Sequence, residues 1–227
     1  MNKAQSEQQD NKEILRYLGY RGQELPAKIA AQIDECRKLI AGAADPKIIY
    51  RQIPVIKTTQ AGVDTGEIFF PGSDISVHLK DCDRAIVMAA TLGAGVEKLL
   101  LRNGVSDMTG ALIMDACATQ LIEQFCDDFE NKTREKLAAE GLFLTGRFSP
   151  GYGDLPIEIQ GEFCALLDTA RKIGLTVSKS SMLNPRKSVT AILGISEKPL
   201  PLSPADCEGC GKRDECEFKK EGKKCHE

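Results

Sequence analysis

The stretch Arg147-Phe148-Ser149-Pro150-Gly151-Tyr152, continuing as Gly153-Asp154-Leu155-Pro156, carries residue types suited to a small ligand with an anionic end and a flat end. Arg147 supplies a planar fork of donors that can take a carboxylate through two bonds. Pro150-Gly151 lets the backbone approach a flat ring with no Cβ in the way. Tyr152 adds a stacking face and a hydroxyl. The same order of residues also makes an ordinary Pro-Gly turn, and residue chemistry alone leaves both readings open.

A second constellation lies near the C-terminal end, where Cys207-x2-Cys210-x5-Cys216-x8-Cys225 is followed by His226. Four thiolates suffice for tetrahedral zinc or for an iron–sulfur cluster, and His226 offers a substitute ligand. The spacing fits either metal centre and fits a redox-sensitive tail as well. The other cysteines, Cys36, Cys82, Cys117, Cys126 and Cys164, have apolar neighbours and read as buried reduced thiols. Histidine-based catalysis has little to draw on, because His78 is the only histidine outside the tail. It reads as a solvated or capping residue.

The elements that must position the loop follow from periodicity. Asp10–Tyr20 and Leu25–Ala41 read as amphipathic helices, the second with Ile29, Ile33, Cys36 and Ile40 on one face. Ile48–Thr58 alternates as a strand, and Gly66–Phe70 reads as a shorter one after a turn at Gly62–Gly66. Arg84–Leu92 is continuously apolar, as expected of a strand covered on both faces. Helix follows over Val96–Arg102 and, with the longest signal in the chain, over Asp107–Glu140, closed by Gly141. A strand over Leu142–Arg147 then leads into the loop Phe148–Pro156, with a helix over Ile157–Ile173 beyond it. Strands over Leu175–Ser178 and Ser188–Ile195 complete the pattern. The class expected is α+β, with a mixed, mainly antiparallel sheet flanked by long helices. The expected organisation is one domain over residues 46–199, a helical N-terminal arm over 1–45 and an irregular cysteine-rich tail over 200–227.

Composition bounds the function. At 227 residues, with 42% hydrophobic and 28% charged residues and a net charge of -3, the chain is an ordinary globular one without a basic stripe for nucleic acid. Met1–Lys12 lacks the apolar core of a secretory signal, and the longest apolar run, Ala85–Ala94, is about half a membrane-spanning helix. These features lead to an expectation of a cytoplasmic protein.

The motif Arg147-x-x-x-Gly151-Tyr152, followed by a helix and then by a strand beginning Ser188-Val189, resembles the activation domain of cobalamin-dependent methionine synthase. The similarity takes in Leu121-Ile122-Glu123-Gln124-Phe125, Leu166-Leu167-Asp168 to Thr176 and Ser188-Val189-Thr190-Ala191, and covers about residues 84–196. Ile14–Gly22 (ILRYLGYRG), Asp154–Glu158 and Met182–Ile192 resemble small stand-alone relatives of that domain. The resemblance implies S-adenosylmethionine as ligand, with Arg147 on its carboxylate, Gly151-Tyr152 near its adenosine, Phe148 and Pro150 in the same loop, and Glu123 as an acidic ligand-site residue. The family also has an Asp ligand with no counterpart aligned here, a Tyr where Leu193 stands, and an acidic residue near the position of Gly141.

By the same resemblance, the protein would serve as the activation subunit of a methyltransferase and would not be catalytic alone. Its partner would be a cobalamin-dependent methionine synthase, whose module holds the cobalamin, with flavodoxin or ferredoxin as candidate electron donor. Reactivation couples one-electron reduction of Co(II) to methylation by S-adenosylmethionine. Cofactors carry that chemistry and the protein positions them. A metal- or cluster-bearing redox activator of another corrinoid protein is the competing expectation.

Overall fold

A computed structural model describes the chain over residues 11–20, 25–103 and 107–199 as an α+β fold with short strands and several helices. Helix α1 covers residues 11–17 and α2 Ala27–Ala43. Strands β1 (Lys47–Pro54), β2 (Lys57–Thr59), β3 (Gly62–Asp64) and β4 (Phe69–Pro71) precede helix α3 (Ser73–His78). Strand β5 (Arg84–Thr91) and helices α4 (Ala94–Asn103) and α5 (Met108–Ala139) come next. Strand β6 (Phe143–Leu144) leads to a 3-10 turn (Ile157–Ile159) and helices α6 (Gln160–Leu167) and α7 (Thr169–Ile173). Strands β7 (Thr176–Val177), β8 (Leu183–Asn184) and β9 (Ser188–Ser196) end the described chain.

One sheet has the order β1-β5-β9-β6, with β6 antiparallel to β9. The meander β2-β3-β4 and the pair β7–β8 are antiparallel throughout. The chain divides into two compact units. Among the described residues, one comprises those from 11 to 49 with those of 89–129 and 167–189; the other comprises those of 50–88, 130–166 and 190–199.

In the first unit α2 packs on α4, where a Cβ on Gly95 would collide with the Ala43 carbonyl. Ile33, Cys36 and Ile40 recur on one face of α2 and are buried. The Cys117 thiol reaches the Ile33 carbonyl at 3.9 Å, tying α5 to α2. In the second unit Phe70 and Phe163 meet edge to face at 5.4 Å, among buried Ile53, Ile75, Leu79 and Leu155. Helix α5 stops as expected at Gly141, whose φ of 75° only glycine takes at little cost. The Gly141 N–H donates to Ala138 O and the Leu142 N–H to Leu137 O, the two bonds of a Schellman motif.

Local hydrogen bonds break several expected elements. Thr65 Oγ1 accepts from the Ile68 N–H and donates to its carbonyl, so residues 65–68 turn and the strand starts only at Phe69. The expected turn at Gly62 is strand β3, and the turn sits at residues 60–61. The expected long strand divides into β1 and β2 at residues 55–56. The helix expected over Ile157–Ile173 breaks at Asp168, whose φ of 55° is left-handed. Thr169 secures that break by donating through Oγ1 to Leu175 O at 2.7 Å. Cys36, Cys82, Cys117 and Cys126 are buried and Cys164 is half-buried, none of them in a disulfide, as their apolar neighbours suggested. Burial first of all holds Cys117 up at about 12 and Cys82 at about 11, which leaves both unreactive. Among the described residues no helix is long and apolar enough to cross a membrane.

Candidate ligand-binding loop

The strand entering the loop pairs with β9 at Phe143–Ser196 and Leu144–Ile195, and pairing resumes at Phe148–Ile192. From Leu144 to Phe148 the chain advances four residues while β9 advances three, so one extra residue bulges out between them. A bulge bends its strand and re-aims the side chains beside it. Here it ends the expected Leu142–Arg147 strand after two residues and sets the exit direction of Arg147 and Phe148. The Thr145 hydroxyl stabilises the bulge by accepting the Gly194 N–H at 2.7 Å.

Beyond Phe148 the Tyr152 N–H donates to Ser149 O at 3.0 Å, and Gly151 between them has φ 89°. Proline at the second position and a positive φ at the third are the signature of a type II turn. Pro150 is buried beneath it, Phe148 is half-buried, and Tyr152 is 60% exposed. The Phe148 and Tyr152 rings stand edge to face at 6.3 Å. The loop therefore has a rigid base and an open aromatic face.

Arg147 turns to helix α5. Its Nη1 donates to Glu130 Oε2 at 3.1 Å, while Arg134 Nη2 donates to Glu130 Oε1 at 2.6 Å. Side chains of Arg147 and Glu130 are only 17% and 15% exposed, so water screens this pair little. A guanidinium presents its donors in one plane, and the ion pair through Nη1 holds one of those donors against α5. Glu130 was not foreseen from the sequence. Its signal was spacing: it lies seven residues after Glu123, two helical turns along one face, and four before Arg134.

His78 corrects an expectation. It is neither solvated nor a surface cap but 9% exposed, at the end of α3. Its Nε2 shares a hydrogen bond of 2.9 Å with Thr145 Oγ1, and its ring lies 5.1 Å from that of Phe148. Burial lowers its pKa to about 4, with a hydrogen bond to the Gly146 backbone opposing. A neutral histidine thus supports the loop from beneath.

The far side of the loop is clasped by two aspartates. Asp154 accepts from the Ser73 and Asp74 N–H groups at 2.6 and 3.0 Å, and from the Ser73 hydroxyl at 2.8 Å. Asp74 accepts from the Asp154 N–H at 3.2 Å. Desolvation works against the Asp154 charge, yet the donors of Ser73 and Asp74 prevail and lower its pKa. A Cβ on Gly153 would strike the Asp74 carboxylate, so the clasp closes only on glycine.

Arg147, Phe148, Pro150, Gly151 and Tyr152 therefore form one structured loop in the second unit. Glu123 belongs to the first unit, half-buried on α5 beside buried Ile122 and Cys126. The Tyr17 hydroxyl is pushed up by burial first, with Arg16 opposing and the Glu123 charge adding to the rise. Tyr17 and Leu18 also line a groove of about 330 Å³ with Leu112, Asp115, Ala116 and Thr119 of α5. Cys207, Cys210, Cys216, Cys225 and His226 lie outside the described residues. Among the described residues no cluster of three or more His, Cys, Asp or Glu side chains could hold a metal ion.

The fold and the loop define an α+β protein with a preformed, cation-bearing turn at the edge of its sheet. No family model matches the chain, and no curated protein matches it. Among solved structures it is similar to the crystal structure of the MetH reactivation domain bound to AdoHcy. The TM-score is 0.59 at 15% sequence identity, over 92% of this chain and 80% of that one. The two share a fold.

Proposed function

We propose that the chain binds S-adenosylmethionine, and its product S-adenosylhomocysteine, at the Arg147–Tyr152 loop, and so serves the reactivation of a cobalamin-dependent methionine synthase. One observation carries the reading. The type II turn behind an oriented Arg147 occurs in a fold shared with a reactivation domain that was crystallised with AdoHcy.

The loop's own residues fit such a ligand. Arg147 can pair with its carboxylate, the Gly151 backbone leaves room for a flat ring, and exposed Tyr152 offers a stacking face. Phe148 and buried Pro150 brace the turn. Glu123 is proposed as an acidic contact on the strength of the sequence resemblance. The partner's cobalamin, when present, supplies the nucleophilic cobalt that accepts a methyl group. This chain's role is positional: holding the donor in one orientation removes an entropic cost that can reach several kcal/mol.

Arg147→Ala is expected to weaken S-adenosylhomocysteine binding by about 2 kcal/mol, roughly thirtyfold in Kd, measured by titration calorimetry. Unchanged affinity would remove the site assignment. The functional half of the proposal is tested with a cobalamin-dependent methionine synthase lacking its own activation domain and arrested as Co(II). Adding this chain, S-adenosylmethionine and an electron donor should restore turnover.

A further inference from the structure

Arg134 stands one turn of α5 beyond Glu130, and neither the loop motif nor the sequence resemblance includes it. Glu130 gives one carboxylate oxygen to Arg134 and the other to Arg147, so a single acid holds two guanidinium groups side by side. The three side chains, Arg134, Glu130 and Arg147, are only 30%, 15% and 17% exposed. Arg134 Nε is buried and has no hydrogen-bond partner among the described residues. A buried donor left without an acceptor is costly, so Arg134 Nε is a place where an acceptor is called for.

We propose that Arg134 is a second carboxylate-recognition residue. In this arrangement Glu130 is the positioning residue that holds Arg134 and Arg147 as one cationic pair for the amino-acid end of the ligand. The inference rests on the function proposed above and extends it. It assigns the specificity for a carboxylate-bearing nucleoside to a pair of arginines, one from the loop and one from the helix. A lone arginine orients a carboxylate through one fork. Two arginines fixed by a shared acid present two sets of planar donors in a set relation to one another.

The test uses two probes that differ at the proposed contact. S-adenosylhomocysteine carries the amino-acid carboxylate; 5′-methylthioadenosine keeps the thioether and the nucleoside and lacks the amino-acid group. Arg134→Ala should lose about tenfold in affinity for S-adenosylhomocysteine and keep its affinity for 5′-methylthioadenosine. Arg134→Lys, which retains charge and stem but not the fork, should fall between wild type and Arg134→Ala, and it secures the test should the alanine variant not fold. Equal losses for both probes would assign Arg134 a purely structural role and overturn the inference. Undiminished binding of S-adenosylhomocysteine by both variants would overturn it too, with the proposed function left standing. A wild-type protein that binds neither probe would remove the function and this inference together.

Discussion

His78 keeps a neutral imidazole in the folded protein down to about pH 4, while the same ring in an unfolded chain takes a proton near pH 6.5. Between those values the unfolded state binds more protons, so stability rises with pH across that window. The contribution is present in full above about pH 6.5 and is lost as pH falls toward 4. It amounts to something on the order of 3 kcal/mol if the whole shift is expressed. Urea denaturation at pH 7 and pH 5 should show this loss, and His78→Gln, which keeps a polar contact for Thr145 but cannot titrate, should flatten it. A wild type equally stable at both values would refute the assignment. Arg147 is a different case at this scale. Its side chain has a foldedness of its own through Glu130, so its removal also leaves a largely sequestered carboxylate with one partner fewer.

The elements that present the loop are short, and their strength lies in their ends. Strand β6 has two residues, the bulge one extra, and helix α3 only six. What holds them is the exchange between Asp154 and Asp74 across the first turn of α3. Because the Asp154 pKa is lowered, its contribution is present above the ordinary aspartate range and is lost only as pH falls below it. Asp154→Ala should therefore raise amide hydrogen exchange at residues 152–155 and 73–76 at neutral pH, with little change in α5. Exchange that is unaltered there would show that the loop stands without the clasp. This element-level order was partly legible in sequence. The Pro150-Gly151 turn and the Gly141 stop follow from φ preferences that act within a few residues. The break at Asp168 was not, since nothing in the periodicity of Ile157–Ile173 distinguishes a continuous helix from two short ones joined by a left-handed aspartate.

For the molecule as a whole, ligand binding and folding are linked. A ligand that binds only the folded state stabilises it by about 2.7 kcal/mol at a free concentration of one hundred times Kd. S-adenosylhomocysteine should accordingly raise the thermal midpoint in a concentration-dependent way, and Arg147→Ala, with its roughly thirtyfold weaker binding, should keep only about a third of that stabilisation at matched concentration. No shift in the wild type at saturating ligand would argue against the proposed function. The likeness to the MetH reactivation domain at 15% identity shows how few residues a fold of this kind constrains. Burial of apolar positions such as Ile86, Val87, Ile192 and Leu193 needs the right kind of side chain, not a particular one.

The sequence by itself determined what depends on neighbours along the chain. It marked the buried strand β5 by its apolar run, β9 as a strand, helix α5 and its glycine stop by period and φ, the Pro-Gly turn, and the reduced state of the buried cysteines. Only the tertiary structure decided what depends on residues brought together from afar. Asp154 meets Ser73 and Asp74 across about 80 positions, and His78 meets Thr145 across 67. Arg147 finds Glu130 across 17, a pairing visible only once the bulge has turned the chain toward α5. Local preferences are written in each residue's own conformational energies. Burial and partner choice are not, because they exist only after the chain has closed on itself.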